Sequence, residues 1–179
     1  MAKRATSHDP GDPTGEFPLD PIGYFVHLAV VLDRRRDIRL AELLRPLGMD
    51  VDTQRVLRVI DNLGSCTMGE LADFTITDRT TLTRIIDHLV AEGLIDRTKP
   101  ASDRRKVILT LTKAGKKTYT RARKAIRQQT VELMRDLPEE DVRVAARVQQ
   151  KVVARLIESE LLADRLLWLA AGNRKPKSA

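Results

Sequence analysis

Apolar side chains recur every three or four positions through most of this chain, which is the spacing of one face of an α-helix. The first such stretch covers residues 21–47, and Gly48 supplies a stop. A second helix is predicted from a cap at Asp52 to a stop at Gly64. The pattern therefore predicts two helices at the start of the organised region.

A helix pair follows. Thr67 and Glu70 have the spacing of a capping box, in which each side chain satisfies a backbone donor, so they predict a short third helix. Thr77 or Asp78 can cap a longer fourth helix that Gly93 ends. The apolar stripe of this helix consists of Leu82, Ile85, Ile86, Leu89 and Val90. A short helix, a brief turn and a longer helix are typical of a helix-turn-helix.

Alternating apolar residues appear directly after this pair. The segments "LIDRTK" and "KVILTLT" predict two strands, and the second is rich in β-branched residues. The turn "PASDRR" joins them. We therefore expect a β-hairpin behind the helix-turn-helix.

Two long helices are predicted at the end of the chain. The first begins at Thr112 and runs to Leu137, and Pro138 separates it from a last helix that reaches Gly172. With the first helix, they offer more apolar surface than one small core requires. Such surplus faces usually find a second subunit, so we expect a dimer.

Charge and composition narrow the possible partners. The chain has 179 residues, a net charge of +7 and a pI near 9.8, which suggest nucleic acid first and a membrane surface second. No apolar run approaches the ~18 residues of a membrane span, and no signal-like segment follows Lys3 and Arg4. We therefore expect a cytoplasmic protein without membrane contact.

Known catalytic motifs are missing from the sequence. It holds no glycine-rich phosphate loop, nucleophile elbow or zinc-protease motif, so we expect no enzyme activity. One cysteine and three isolated histidines predict neither a metal site nor another cofactor.

The fourth predicted helix has a polar face opposite its apolar stripe. Short hydroxyl side chains can approach base edges in the major groove, and arginine can grip guanine through two hydrogen bonds. The candidate DNA contacts on this helix are Thr80, Thr81, Thr83, Arg84 and His88. An ordinary solvated face is the alternative interpretation.

The predicted hairpin carries Asp103, Arg104, Arg105 and Lys106 at its turn. Asp103 lies two residues before Arg105, so its carboxylate can brace that guanidinium or the turn backbone. The narrow, negative minor groove favours an extended arginine lowered from a rigid loop. We expect Arg104, Arg105 and Lys106 to contact DNA, with a merely solubilising turn as the alternative.

Residues 69–115 resemble the winged helix-turn-helix of multiple-antibiotic-resistance-type (MarR) transcriptional regulators. The matching pieces are "ELA", "T-x-T-R", "L-x-x-x-G-L-I-x-R", and "D-R-R" leading into "L-T-L-T-x-x-G". Flanking helices extend the resemblance over about residues 20–170. It implies an obligate homodimer on a pseudo-palindromic double-stranded DNA operator, with Arg105 as the minor-groove arginine and Asp103 as its bracing acid.

The resemblance implies a mostly α fold with a small β-hairpin wing. Residues 49–111 would form the winged helix-turn-helix DNA-binding domain, and residues 20–48 and 112–172 the helical dimerisation region. Residues 1–19, rich in Pro, Gly and Asp, are expected to be a disordered tail, and residues 173–179 a basic tail.

A small-molecule effector is a further implication of the resemblance, often an anionic aromatic compound that relieves repression. Tyr24, His27 and Arg34 share a stripe of the first helix and are the candidate effector contacts, although core-edge or dimer contacts are the alternative. The basic segment Asp33–Arg39 could accept an acyl-CoA thioester, or it could form salt bridges.

Other functions remain open from the sequence. Cys66 precedes the short third helix, whose N-terminus could lower the thiol pKa, so oxidant sensing is an alternative to packing in the core or a β-strand. A non-specific, nucleoid-like protein would bind DNA with little dependence on sequence. A winged-helix module that binds protein would not need the basic face or the wing arginines.

Overall fold

The computed structural model describes residues 20–75, 77–100, 106–157, 163, 164 and 167. Its helices are α1 (Pro21–Leu44), α2 (Val51–Leu63), α3 (Met68–Thr75), α4 (Arg79–Ala91), α5 (Lys113–Leu133) and α6 (Glu139–Leu156), and a 3-10 turn at Arg45–Leu47 follows α1. Its strands are β1 (Cys66–Thr67), β2 (Ile95–Thr98) and β3 (Ile108–Leu111). The predicted tails, residues 1–19 and 173–179, lie outside the described residues.

The chain divides into two compact units after Arg39. In the first unit, the Asp20 carboxylate accepts a hydrogen bond from the Gly23 N–H at 2.9 Å and so satisfies a donor in the first turn of α1. Many apolar side chains of this part of α1 are exposed, with Ile22 at 78% and Val26 at 52%. The amphipathic pattern therefore forms a helix whose apolar side chains remain largely in contact with solvent.

The second unit contains the hydrophobic core. One face each of α2, α3 and α4 packs against the sheet, because their apolar residues recur at helical spacing. α2 also packs against α5, whose first half contributes Tyr119 and Ala122 to the core. The largest fully buried side chains include Leu57, Ile60, Leu71, Leu82, Ile86, Leu89, Ile95 and Leu109. This core fixes the helix pair α3 and α4 against the strands that follow it.

The sheet has the order β1-β3-β2 and is antiparallel throughout. Ile95 pairs with Leu111 and Thr98 with Ile108, which confirms the predicted hairpin. Cys66 pairs with Leu109, so a third strand joins the hairpin edge. That strand is only two residues long, too short to show alternation in the sequence.

Three helix starts follow the predicted capping. The Thr67 N–H donates to Glu70 Oε2 at 3.0 Å, and the Glu70 N–H donates to Thr67 Oγ1 at 3.2 Å, which confirms the capping box of α3. Of the two candidates for α4, Asp78 is the cap. Thr112 caps α5 by accepting a hydrogen bond from the Gly115 N–H at 3.0 Å.

The predicted start of α2 was wrong by two residues. Asp50 is the cap, because its backbone is extended and its carboxylate accepts a hydrogen bond from the Thr53 N–H at 2.6 Å. Asp52 lies inside the first turn and forms an ion pair with Arg55 at 3.0 Å. Both aspartates suit a helix N-terminus, so composition alone could not separate them.

The predicted ends of the last two helices were also wrong. α5 stops at Leu133 instead of Leu137, because the chain leaves helical geometry at Met134 (φ −100°, ψ 4°). α6 stops at Leu156, because Ile157 is extended (φ −102°, ψ 113°), so the predicted helix is not continuous. Beyond Ile157 the structure describes only Ala163, Asp164 and Leu167, which are helical, and the rest of the predicted continuation to Gly172 lies outside the described residues. Neither glycine nor proline marks these two ends in the sequence, so the breaks were not visible there.

Candidate DNA-binding surface

α4 has one buried face and one exposed face. Its N-terminus is held by Asp78, whose carboxylate accepts a hydrogen bond from the Thr81 N–H at 2.9 Å. That bond is the largest cause of a lowered pKa of the Asp78 carboxyl, and a hydrogen bond with the Thr81 side chain is the next largest. Leu82, Ile85, Ile86 and Leu89 are buried. The opposite side is therefore presented to solvent by a helix anchored at its start.

The predicted contacts on α4 occupy different parts of that surface. Thr80, Thr83, Arg84 and His88 are exposed, whereas Thr81 is half-buried beside the cap. The Thr83 hydroxyl donates to the Arg79 carbonyl at 2.8 Å, and His88 Nε2 lies 3.4 Å from Glu92 Oε1. Since positions four apart share a helix face, Thr80 and Arg84 stand together opposite the buried stripe.

The structure adds an ion pair that connects α4 with the sheet. Arg97 Nη2, on β2, lies 2.6 Å from Asp87 Oδ1, on α4. Asp87 belongs to the polar face of α4 in the sequence, but the residues are ten positions apart on different elements. Sequence spacing therefore gave no signal for this contact.

Arg79 is a second residue that the sequence reasoning missed. It is the first residue of α4 and is exposed. Arginine side chains commonly contact DNA phosphates, so its position beside Thr80 at the start of α4 makes it a further candidate contact. Its place directly after the cap was the available signal.

The wing is described up to the ends of its two strands. Thr98 and Ile108 form the last pair of the β2–β3 ladder, so the turn lies between them. Lys106 is exposed beside β3. Asp103, Arg104 and Arg105 lie outside the described residues, and their contacts with DNA stay a prediction.

The candidate effector residues lie on α1. Tyr24, His27 and Arg34 are all exposed, and their spacing of three and seven residues places them along one side of this continuous helix. The structure therefore brings the three onto a common stripe. Their role in effector binding stays a prediction.

Cys66 is buried in β1, with 1% of its surface exposed. Burial, and next the negative charge of Glu70, raise the pKa of its thiol to about 12. The alternative, in which the start of α3 lowers this pKa, does not hold, because desolvation outweighs the helix N-terminus. Packing in the core and in a strand, the favoured interpretation, is confirmed.

The described part of the chain has neither a metal-binding cluster nor a membrane-spanning helix. No group of three or more His, Cys, Asp or Glu side chains there is arranged to hold a metal ion. None of the helices in that part is both long and apolar enough to cross a membrane.

Comparisons with known proteins agree with this geometry. Residues 54–107 match the model of the MarR family. The chain is 32% identical over 95 residues to the multiple antibiotic resistance protein MarR of Escherichia coli K12, which is 53% of this chain and 64% of that protein. It is 34% identical over 74 residues to the homoprotocatechuate degradative operon repressor of Escherichia coli, which is 41% of this chain and 50% of that protein.

A solved structure extends the likeness beyond these segments. A crystal structure of mutant Escherichia coli MarR complexed with operator DNA superposes with a TM-score of 0.64 at 28% identity. The match covers 74% of this chain and 94% of that chain. The curated relatives are matched over only 50% and 64% of their own lengths. The predicted resemblance and the winged-helix fold are confirmed.

Proposed function

Because residues 54–107 of this chain belong to the MarR family, we propose that the protein is a sequence-specific transcriptional regulator that binds a pseudo-palindromic operator as a homodimer. The observation that carries the proposal is the exposed face of α4. Thr80 and Arg84 stand on it together, opposite the buried stripe and on a helix capped by Asp78. Such a helix can enter the major groove and read base edges.

The wing is the second proposed DNA contact. The paired strands β2 and β3 give the turn a fixed base, and the ion pair between Asp87 and Arg97 ties that base to α4. Arg104 and Arg105 would enter or flank the minor groove, with Asp103 as the brace. Lys106, exposed at the end of the turn, is suited to a phosphate contact.

Exposed apolar surface supports a homodimer. Both units carry such side chains on the helices proposed for dimerisation, and faces of this kind usually mark an interface. On α1 they include Ile22, Val26, Val30 and Ile38, and on α5 and α6 they include Val131, Leu133, Val144, Val148 and Leu156. A second copy of the chain would cover these faces.

Repression controlled by a small molecule is the proposed mode of regulation. One curated relative is named as an operon repressor, which supports repression as the mode in this chain. The stripe of Tyr24, His27 and Arg34 combines an aromatic ring with groups that can bind a carboxylate. The arginines of Asp33–Arg39 would further suit the phosphates of an acyl-CoA thioester. Oxidant sensing through Cys66 is disfavoured by the raised pKa of its buried thiol.

Selection of bound sequences from a random DNA pool tests the regulator proposal. We expect enrichment of an inverted repeat whose half-sites are centred about 34 Å, one helical turn, apart. The full-length protein should sediment as a dimer on this DNA. Recovery of no common sequence would contradict sequence-specific recognition, because non-specific binding follows phosphate charge alone.

Isothermal titration tests the effector proposal. Aromatic acids and their CoA thioesters are added to wild-type protein and to the Arg34→Ala variant. Binding that weakens in Arg34→Ala supports the α1 stripe, and tighter binding of a thioester than of its acid supports the phosphate contact. If the thioesters bind no more tightly than the free acids, or do not bind, the acyl-CoA proposal is contradicted.

A further inference from the structure

α5 carries an unusually basic sequence. It contains seven Lys and Arg residues, namely Lys113, Lys116, Lys117, Arg121, Arg123, Lys124 and Arg127, whereas its first acidic residue is Glu132. The chain as a whole is more balanced, with 32 basic and 25 acidic residues. The seven charges on this one segment therefore equal the entire net charge of +7.

The seven basic side chains lie on one face of α5. At about 100° per residue they fall within an arc of roughly 160°. The opposite side is buried and carries Gly115, Tyr119 and Ala122. All seven basic residues are exposed. We call this set the α5 basic face.

Carboxylates do not neutralise the α5 basic face within the part of the chain that the structure describes. Ion pairs there involve basic residues of other segments, such as Arg55 with Asp52 and Arg143 with Glu139. None of the seven basic groups lies within 4.0 Å of a described carboxylate oxygen. The face is therefore a concentrated positive charge available to an external anion.

The charges are distributed along the length of the helix. Residues 113–127 span about 21 Å of helix axis, which gives one positive charge per roughly 3 Å. A DNA strand places one phosphate every ~3.4 Å along the duplex axis. A small anion would need charges that converge on one point, whereas these are spread along about 21 Å of helix axis and over an arc of roughly 160°, so they suit an extended polyanion such as a nucleic-acid backbone.

The composition of this face separates DNA from a membrane surface. A helix that lies on a membrane inserts apolar side chains beside its basic ones. Between the seven basic residues, the α5 basic face contains Thr120, and its exposed apolar residue Val131 lies beyond them. A duplex is therefore the better match than a lipid bilayer.

The α5 basic face begins at the base of the wing, at the end of the hairpin opposite its turn. α5 begins immediately after β3, and the Thr112 N–H donates to the Leu94 carbonyl at 3.1 Å, beside the start of β2. Lys113, Lys116 and Lys117 therefore follow directly from the base of the wing. The basic residues continue from there along the helix.

We propose that the α5 basic face is a second, sequence-independent DNA-contacting surface that binds duplex phosphates outside the contacts of α4 and the wing. It builds on the proposed function, because it adds contacts to the same DNA-binding protein. It does not depend on operator recognition, because phosphate contacts carry no base information. Its effect is to strengthen binding to any duplex and to increase the dependence of affinity on salt.

A matched pair of charge variants tests this proposal in the full-length protein. The test variant is Arg121→Gln/Lys124→Gln/Arg127→Gln on α5. The control is Arg147→Gln/Lys151→Gln/Arg155→Gln on α6, which removes the same number of Arg and Lys charges from exposed positions and differs in that Arg147 is paired with Glu140. Affinity for a mixed-sequence 40-base-pair duplex is measured by fluorescence anisotropy between about 50 and 300 mM salt, a range over which phosphate contacts weaken strongly. Circular dichroism and sedimentation verify fold and assembly.

The slope of log affinity against log salt counts the phosphate contacts. We expect it to fall by roughly two to three in the α5 variant, at about 0.9 per contact, and to remain unchanged in the α6 control. Arg121→Lys/Arg127→Lys, which keeps the charges, should retain the wild-type slope. An unchanged slope in the α5 variant, or an equal fall in both triple variants, would overturn the proposal.

The same variants distinguish DNA binding from membrane binding, and they separate the failure of this inference from the failure of the proposed function. Binding to phosphatidylserine vesicles that is lost in the α5 variant, with the DNA slope unchanged, would overturn DNA in favour of a membrane. If no operator emerges from random-pool selection but the α5 slope falls, this inference holds and the sequence-specific function fails. If an operator emerges and the slope of the α5 variant is unchanged, the sequence-specific function holds and this inference fails.

Discussion

Arg97 Nη2 lies 2.6 Å from Asp87 Oδ1 and thereby joins the first strand of the wing to α4. The two side chains are 36% and 57% exposed, so the pair contributes at most about 1 kcal/mol to folding stability. Its larger effect concerns position, because α4 and the wing are proposed to enter neighbouring grooves. If the distance and angle between α4 and the wing are fixed, both can fit their grooves on the same DNA duplex.

Double-mutant analysis tests this coupling. Arg97→Ala and Asp87→Ala should each weaken operator binding about threefold to tenfold, and the double variant should lose no more than either single variant, because they break the same contact. Affinities from gel shifts on the selected operator provide the comparison. A different outcome would contradict the coupling: Asp87→Ala binds the operator more tightly, and Arg97→Ala weakens binding by the same factor with or without Asp87. Arg97 would then contact a DNA phosphate.

Arg84 is predicted to read a base through the major groove. Arg84→Ala should weaken operator binding by about 1 to 3 kcal/mol and relax base preference at one position per half-site. Arg84→Lys keeps the charge but loses the paired hydrogen bonds, so it should also lose preference at that position. Binding measured across all substitutions of the half-site checks both variants. A uniform loss across sequences would identify a phosphate contact.

The features that the sequence predicted well are local ones. The capping box of Thr67 and Glu70 and the cap at Thr112 depend on residues three positions apart, so their spacing is visible directly. The Asp87–Arg97 pair and the strand at Cys66 depend on contacts made only after folding. Charge alone showed a basic chain, and the predicted helix already contained residues 113–127, but which side of that helix is buried became visible only in the fold.

Cys66 is predicted to be chemically inert in the folded protein. Its pKa of about 12 leaves roughly one thiol in ten thousand ionised at pH 8, so iodoacetamide should react far more slowly with native than with urea-unfolded protein. Peroxide should leave operator binding unchanged in wild type and in Cys66→Ser. Mass spectrometry and gel shifts provide the two readouts. Release of DNA by peroxide from wild type, but not from Cys66→Ser, would restore the oxidant-sensing alternative.

The cap at Asp78 is predicted to make α4 sensitive to acid. Its carboxyl pKa is lowered in the folded state by the Thr81 N–H, so the stabilisation is present above the unfolded pKa. It is lost as the pH falls from roughly 5 through the lowered folded pKa. Urea unfolding from pH 7 to pH 3 should show a smaller decrease in stability for Asp78→Asn than for wild type. Parallel decreases would contradict a pH-dependent role for this cap.

Gly115 is predicted to be required for the junction between the wing and α5. It is buried in the first turn of α5, and a β-carbon there would overlap the Leu94 carbonyl oxygen, which accepts the Thr112 N–H. Gly115→Ala should therefore lower the free energy of unfolding by about 3 kcal/mol, measured by urea denaturation. Gly69→Ala in α3 is the matched control, because its β-carbon would meet only Thr67 Oγ1 at 3.9 Å. It should be neutral or slightly stabilising. Equal effects of the two substitutions would contradict the steric argument.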